Sequence, residues 1–82
     1  MNQTQKKLIS GFLNRQGGLF AEPYQTSEEN GYCELLSYGI PFAWCSPNGT
    51  IDIERLGLTY DMEQAIVEIK KLVAKSKKHF IV

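Results

Sequence analysis

The side chains of this chain that could combine a nucleophile with a base are Cys33, Cys45 and the lone histidine, His79. Covalent catalysis needs the base within hydrogen-bonding reach of the nucleophile, and a third group that orients the base. The hydrophobic pattern places both cysteines on a sheet face that a helix covers, where a thiol is inert. We therefore predict two buried free thiols, with an oxidisable cross-strand pair as the alternative.

Metal and cofactor sites have no support in the residue pattern. A metal site needs about four nitrogen or sulfur ligands, or a cage of oxygen ligands. Two cysteines and one distant histidine do not supply the first, and no acidic loop has the spacing of a calcium site. Gly17-Gly18 follows a predicted helix, whereas the glycines that hold phosphates precede one. We predict no metal, no cofactor and no enzymatic activity.

Asp52 and Glu54 are the paired carboxylates that general acid–base catalysis would use. They alternate with Ile51 and Ile53, so a strand would place both acids on its solvent side. A flat strand surface offers neither the cleft nor the shifted pKa values that such catalysis needs. We interpret the pair as solvated acids beside Arg55, which could also form the negative rim of an interface.

Five lysines are concentrated in the last part of the chain: Lys70, Lys71, Lys75, Lys77 and Lys78. One interpretation is a solvated helix face whose positive charges interact favourably with the negative C-terminal end of the helix dipole. The other is a contact with phosphates or with an acidic protein, because such a cluster can supply a salt-dependent interaction with nucleic acid.

The overall composition limits the class of protein. Eighty-two residues, 43% of them hydrophobic, predict one small globular domain over residues 1–82. Nine basic and nine acidic residues give no net charge, which argues against a protein that binds nucleic acid with its whole surface. No segment approaches the roughly 20 apolar residues of a membrane helix, and no signal-peptide core is present. We expect a cytoplasmic protein with no membrane partner.

The first predicted element is a helix that begins at Asn2 or Thr4, since both residue types cap helices. Apolar residues recur at helical spacing at Leu8, Ile9, Phe12 and Leu13. Gly17-Gly18 is expected to end the helix, because glycine adopts the left-handed cap conformation. Residues 19–22 follow as a short strand that Pro23 ends, and the polar segment 25–31 is interpreted as a solvated loop.

Residues 32–56 predict three consecutive antiparallel strands. The segment Ser46-Pro47-Asn48-Gly49-Thr50 suits a three-residue hairpin loop in which the glycine is left-handed. The first turn lies around Tyr38-Gly39-Ile40. If it also has three residues, Cys33 lies opposite Cys45. A two-residue turn would instead move the side chains of the first strand to opposite faces.

These pairings divide the side chains between two faces, because directly opposed residues share a face. The inner face collects Cys33, Leu35, Ala43, Cys45, Ile51 and Ile53. The outer face collects Tyr32, Leu36, Phe42 and Trp44, with Glu34, Asp52 and Glu54 at its margins. The inner face suits a covering helix, whereas the outer face has more aromatic surface than one small core needs.

The last helix has a clear period of about 3.6 residues in its apolar side chains. These are Met62, Ala65, Ile66, Ile69, Leu72 and Val73. Asp61 is expected to cap the helix, with Gln64 completing a capping box. Residues 79–82 are too apolar for a free tail, so we expect them to pack down or to add a strand at a sheet edge.

The predicted fold is therefore α+β: an N-terminal helix, a short strand, a three-stranded antiparallel meander and a C-terminal amphipathic helix packed on one face of the sheet. The first helix could lie beside the last one, or it could cover the outer face. Only the second arrangement would hide the aromatic side chains from a partner.

The outer face is the main candidate for function. Tyrosine and tryptophan dominate interface energetics, and an apolar centre with an acidic rim is typical of protein interfaces. We predict a non-enzymatic protein-binding module or inhibitor whose partner is a protein, a protein complex or a second copy of the chain. By analogy of size and mode of action only, a phage or mobile-element protein directed at host defence machinery fits this class. The alternative is a nucleic-acid-binding protein that uses the lysine-rich end of the last helix.

Overall fold

The computed structural model describes residues 1–82 as two helices and a six-stranded sheet, an α+β fold. The helices are α1, Gln3–Leu13, and α2, Tyr60–Ala74. The strands are β1, Phe20–Ala21; β2, Tyr24–Glu29; β3, Tyr32–Ser37; β4, Ile40–Cys45; β5, Thr50–Ile53; and β6, Phe80–Ile81. They lie side by side in chain order, and every neighbouring pair is antiparallel except β5 and β6, which are parallel.

The segment predicted as a solvated loop, residues 25–31, is mostly β2 and its hairpin turn to β3. Asn30 (φ 54°) and Gly31 (φ 85°) form a two-residue turn in which both residues are left-handed. That conformation is the one asparagine–glycine pairs favour between paired strands. The loop prediction was wrong because the polar composition of β2 reflects an exposed strand end, not a lack of pairing.

The turn between β3 and β4 has two residues rather than three. Its residues, Tyr38 (φ 50°) and Gly39 (φ 81°), are both left-handed. The pairing predicted for the three-residue turn nevertheless holds further along the strands, where Cys33 lies opposite Cys45. Both observations hold because β4 carries one extra residue.

A β-bulge at Phe42 supplies that residue. On one side of it Leu35 pairs with Ala43, and on the other side Leu36 pairs with Pro41. Consecutive side chains of a regular strand point to opposite faces, but a bulge redirects them. Phe42 and Ala43 are both fully buried. The prediction that Phe42 lies on the outer face was therefore wrong, and the bulge is the reason.

The second hairpin loop has the geometry that its residues predict. Gly49 is left-handed (φ 88°), and its amide donates to the Ser46 carbonyl (3.0 Å). The Ser46 amide donates to the Thr50 carbonyl (3.0 Å) and closes the loop. Trp44 consequently lies opposite Asp52, as expected.

The ends of α1 follow one prediction and contradict another. Asn2 caps the helix by accepting from the Gln5 amide (2.8 Å), and the Gln5 side chain accepts from the Asn2 amide (2.9 Å). The helix ends at Leu13, and the first left-handed residue after it is Arg15 (φ 57°). Gly17-Gly18 lies beyond this end, so its predicted role as the cap was wrong.

The cap of α2 lies two residues earlier than predicted. Thr59 caps the helix, because its hydroxyl accepts a hydrogen bond from the Met62 amide (3.2 Å). Asp61 and Gln64, predicted to form the capping box, lie within the helix instead. Asp61 still lies in the first turn, where its negative charge interacts favourably with the positive N-terminal end of the helix dipole.

One core unites both helices with the inner face of the sheet. Its members from the helices are Leu8, Ile9, Phe12, Leu13, Met62, Ala65, Ile66 and Ile69. The predicted inner-face residues Cys33, Leu35, Ala43, Cys45 and Ile51 join them, with Ile53 packed against the edge of the core. The first helix therefore lies beside the last one, and the outer face carries no helix.

Two long-range hydrogen bonds fasten these layers together. The Tyr24 hydroxyl donates to the Asp61 carbonyl (2.5 Å) and joins β2 to the start of α2. His79 Nε2 donates to the Leu13 carbonyl (2.7 Å) and joins the segment before β6 to the end of α1. Residues 80–81 form the edge strand that was one of the two expected outcomes for this apolar segment. Neither α1 nor α2 is long and apolar enough to cross a bilayer.

Candidate functional site

The strand register builds a continuous row of side chains across the outer face. Ser27 in β2, Glu34 in β3, Trp44 in β4 and Asp52 in β5 lie opposite one another in that order. Opposed residues share a face, so all four point away from the helices. Trp44 lies at the centre of this row, between two carboxylates that belong to the neighbouring strands.

Most of the predicted interface residues border this row. Tyr32 is 60% exposed at one end of β3, and Leu36 is half-buried at the other. Glu34 and Trp44 are half-buried, whereas Asp52 and Glu54 are exposed. Phe42 is the exception, since its side chain is fully buried in the core. Without Phe42, the outer face consists of the other predicted residues: Tyr32, Glu34, Leu36, Trp44, Asp52 and Glu54.

The side chain of Trp44 is positioned by a neighbouring carboxylate. Its indole Nε1 donates a hydrogen bond to Glu34 Oε2 across the β3–β4 pair (3.2 Å). The bond satisfies the only polar group of the indole, and Glu34 has a second oxygen that can accept from another donor. The aromatic ring and a negative charge are therefore held together on the sheet surface.

Two shallow depressions flank Trp44 on the outer face. The first has a volume of about 410 Å³ and is lined by Ser27, Glu29, Asn30, Tyr32, Cys33, Glu34 and Trp44. The second has a volume of about 520 Å³ and is lined by Trp44, Asp52, Ile53, Glu54, Arg55 and Leu56. Trp44 is thus accessible from two sides, and each side offers two carboxylates.

Sequence reasoning missed several members of this surface. Ser27 and Glu29 were assigned to a loop, although they are strand residues beside Glu34 and Tyr32. Phe20 is 68% exposed and Phe80 is 53% exposed, in the two short edge strands. The asparagine–glycine pair at residues 30–31 was the signal that could have identified β2. The two edge strands have only two residues each, which leaves too little pattern to assign a face.

The strands of the sheet carry acidic residues and no basic ones. Glu29, Glu34 and Asp52 lie on β2, β3 and β5. The lysines belong to the helices or to the segment after α2: Lys6, Lys7, Lys70, Lys71, Lys75, Lys77 and Lys78. The zero net charge of the chain therefore conceals a sheet whose strands carry acidic and no basic residues, whereas the helical layer carries these lysines together with Asp61, Glu63 and Glu68.

The candidate nucleophile and base are not arranged for catalysis. Cys33 Sγ donates to the Gln16 carbonyl (3.7 Å), and Cys45 Sγ donates to the Leu13 carbonyl (3.8 Å). His79 bonds to the Leu13 carbonyl and to Ser76 Oγ (2.8 Å), not to a thiol. Both cysteines are free and buried, as predicted.

Burial also keeps the two thiols protonated. It raises the pKa of Cys33 to about 11, and nearby Cys45, Glu28 and Glu34 act in the same direction. Burial likewise raises the pKa of Cys45, although the neighbouring Arg15 guanidinium opposes that change. Since the thiolate is the nucleophilic form, both cysteines lack the reactive state near neutral pH.

Two depressions border the lysine-rich region, and the one lined by Lys70 also contains Glu54. The other depression, of about 280 Å³, lies where the end of α1, the 46–50 loop and the segment before β6 meet. Arg15, Lys78 and His79 line it together with Leu13, Asn14, Pro47, Asn48 and Gly49. No carboxylate is among these residues. The other predicted lysines, Lys70, Lys71, Lys75 and Lys77, are exposed on the helical layer.

Comparison of the chain with protein-family models, with curated proteins and with solved structures found no match in any of the three. Within the structure, no group of three or more histidine, cysteine, aspartate or glutamate side chains is placed to hold a metal ion. The outer face is therefore the feature of the molecule that best supports a function.

Proposed function

We propose that this chain is a small, non-enzymatic protein-binding module that acts by occupying the surface of a partner protein with its outer face. The observation that carries the proposal is the position of Trp44 and Tyr32 on a sheet face without a covering helix. Aromatic anchors surrounded by a polar rim are the usual source of binding energy in protein interfaces. Glu34, Asp52 and Glu54 form such a rim.

The partner in this proposal presents a basic surface. The first depression is lined by two glutamates and by no basic side chain, and Arg55 is the only basic residue that lines the second. Complementary charge steers association and disfavours other partners. Two copies meeting through this face would bring like charges together, so a basic partner is favoured over self-association.

Within this class, the chain would act as a steric inhibitor in the cytoplasm. A protein of 82 residues that covers a functional surface of a larger assembly can block it without any chemistry of its own. Phage and mobile-element proteins directed at host defence machinery provide the analogy for this role. The analogy concerns size and mode of action.

A capture experiment in the native host tests the proposal. The tagged wild-type chain, a Trp44→Ala/Tyr32→Ala variant and a Glu63→Ala/Gln64→Ala variant of α2 would be compared by quantitative mass spectrometry. Phe42 is left unchanged, because its substitution would damage the core. We expect a partner that the outer-face variant loses and the α2 variant retains. Equal capture by all three folded chains would overturn the proposal.

A second candidate function is contact with nucleic acid through the helical layer. The depression lined by Arg15, Lys78 and His79 favours it, because a phosphate would meet cationic groups there and no carboxylate. Binding to generic DNA and RNA, measured at low and high salt, tests this candidate. It requires binding at low salt that weakens as salt rises and that Arg15→Ala/Lys78→Ala reduces. No binding at low salt would remove it.

A further inference from the structure

The first depression beside Trp44 combines two kinds of group that attract cations. Its aromatic walls are Tyr32 and Trp44, and its carboxylates are Glu29 and Glu34. The face of an aromatic ring carries partial negative charge, and a cation near that face is attracted most strongly to tryptophan. No lysine, arginine or histidine lines this depression. Its chemistry therefore suits a positively charged side chain.

The strand pairing arranges these groups in advance. Glu34 lies opposite Trp44, and Glu29 lies opposite Tyr32 beside the β2–β3 turn. Each aromatic side chain is thus paired with a carboxylate on the neighbouring strand. The bond from Trp44 Nε1 to Glu34 Oε2 holds one of these pairs together, with the second carboxylate oxygen available to a ligand.

We propose that this pocket, formed by Tyr32, Trp44, Glu29 and Glu34, binds an arginine side chain of the partner protein. The inference depends on the proposed function and specifies the chemistry of the contact. A guanidinium group is planar, so it can stack on the indole while its N–H groups pair with a carboxylate. A lysine ammonium is a compact, strongly hydrated charge that gains less from such an arrangement.

The same features disfavour the other classes of occupant. A phosphate backbone would be repelled by Glu29 and Glu34, and an apolar side chain would leave both carboxylates without a cationic partner. A second copy of the chain could offer Arg55, which is exposed at the opposite side of Trp44. That occupant would appear as self-association of the purified chain.

Trp44 is the only tryptophan, so its fluorescence reports on binding at the outer face, and the Glu34→Gln variant assigns a response to this pocket. The full chain would be titrated with acetyl-Gly-Arg-Gly-amide, with the citrulline peptide of the same shape and with the lysine peptide. Potassium chloride at matched ionic strength provides the baseline. We expect a saturable change with the arginine peptide, with an affinity about fivefold or more above that for the citrulline peptide. The lysine peptide is expected to bind more weakly than the arginine peptide.

The matched variant is Glu34→Gln, which removes the charge but keeps an oxygen that can accept from Trp44 Nε1. We expect it to weaken binding of the arginine peptide by about threefold or more, whereas Glu63→Gln on α2 leaves the affinity unchanged. Circular dichroism would show that both variants are folded. Equal binding of the arginine and citrulline peptides, no saturable response, or unchanged affinity in Glu34→Gln would each overturn the inference. Equal binding of the lysine peptide would overturn the assignment to arginine.

The outcomes separate this inference from the proposed function. If the arginine peptide fails to bind but the outer-face variant still loses its partner in the capture experiment, only the arginine pocket is wrong. If the peptide binds but the outer-face variant keeps its partner, the proposed function is wrong instead. Analytical ultracentrifugation tests whether a second copy of the chain occupies the pocket through Arg55. A dimer that Arg55→Ala abolishes would overturn the assignment to a separate partner.

Discussion

Phe42 and Trp44 are two residues apart in β4, yet their side chains lie on opposite faces of the sheet. Residues at this spacing share a face in a regular strand. The bulge at Phe42 breaks the alternation, so the phenyl ring enters the core while the indole stays on the outer face. Two aromatic residues that look equivalent in the sequence therefore have different proposed roles, Phe42 in the stability of the core and Trp44 in binding.

Substitution of each residue should separate these roles. Phe42→Ala leaves a cavity in a fully buried site, so we expect it to lower the free energy of unfolding by about 3 to 5 kcal/mol. Trp44→Ala should cost clearly less, because the indole is half-buried and no layer packs over it. Urea unfolding followed by far-UV circular dichroism measures both variants without depending on tryptophan. A larger loss for Trp44→Ala would contradict the placement of the two rings.

The hydrogen bond between Trp44 and Glu34 gives a smaller and more specific expectation. Glu34→Ala removes the acceptor, so we expect it to destabilise the fold by about 0.5 to 1.5 kcal/mol. Glu34→Gln should cost less, since its amide oxygen can still accept from the indole. The tryptophan emission spectrum provides a second measurement, because it should shift more in Glu34→Ala than in Glu34→Gln. Indistinguishable alanine and glutamine variants would show that the bond contributes nothing.

Turn chemistry explains how much of the sheet could be predicted. The 46–50 loop has residues with one strong conformational preference, and it placed Trp44 opposite Asp52 correctly. The β3–β4 turn was less informative, since the two-residue turn and the bulge at Phe42 compensate for each other. The residues around Phe42 do not by themselves predict that bulge. It is favoured by the burial of a large side chain, which is a property of the whole core.

The candidate site could be predicted in part for the same reason. Trp44 was placed by the 46–50 turn and strand alternation. Tyr32 and Leu36 were placed by assuming a three-residue β3–β4 turn, and they lie on the predicted outer face because the bulge compensates for the shorter turn. The positions of Ser27 and Glu29 on the outer face could not be predicted, because the second half of β2 is exposed and has no alternating apolar residues. The choice between an open and a covered outer face was not available from sequence either. It depends on α1 packing beside α2, and the amphipathic stripe of α1 suits both arrangements.

The start of α2 offers a direct comparison of two candidate caps. Thr59 accepts from the Met62 amide in the structure, so Thr59→Ala should cost about 1 kcal/mol, within the usual range for a lost cap. Thr59→Ser keeps the hydroxyl and should stay close to the wild type. Asp61→Ala loses only a favourable charge near the helix dipole and should cost about 0.3 to 1 kcal/mol. Thermal unfolding of the three variants measures these differences, and a larger loss for Asp61→Ala than for Thr59→Ala would contradict the assigned cap.

Alkaline pH should destabilise the protein through two buried groups. Burial raises the pKa of Cys33 to about 11 and that of Tyr24 to about 12. The unfolded chain loses these protons near the ordinary values of 9.0 and 10.0, while the folded chain still holds them. The unfolded state therefore binds fewer protons in this interval, so stability present below pH 9 is lost as pH rises.

The size of that loss follows from the shift of Cys33, which is about two pKa units and hence about 2 to 3 kcal/mol between pH 9 and pH 11. Urea unfolding at pH 8, 9.5 and 10.5 measures the decline. The matched variant is Cys33→Ala, which lacks the thiol and should show a shallower decline than the wild type over the same interval. Parallel curves for the two proteins would mean that Cys33 does not contribute.

The reactivity of the cysteines tests whether the chain uses thiol chemistry at all. Cys33 and Cys45 are almost completely buried and bond to the carbonyls of Gln16 and Leu13, so a reagent such as DTNB can reach them only when the structure opens. We expect slow labelling of the native protein, and labelling of both thiols at similar rates, because one packed core protects both. A Ser27→Cys substitution in a Cys33→Ala/Cys45→Ala background places an exposed thiol on β2 and should react rapidly. Fast labelling of either native cysteine, or a disulfide between them in the isolated protein, would favour the redox alternative over two structural thiols.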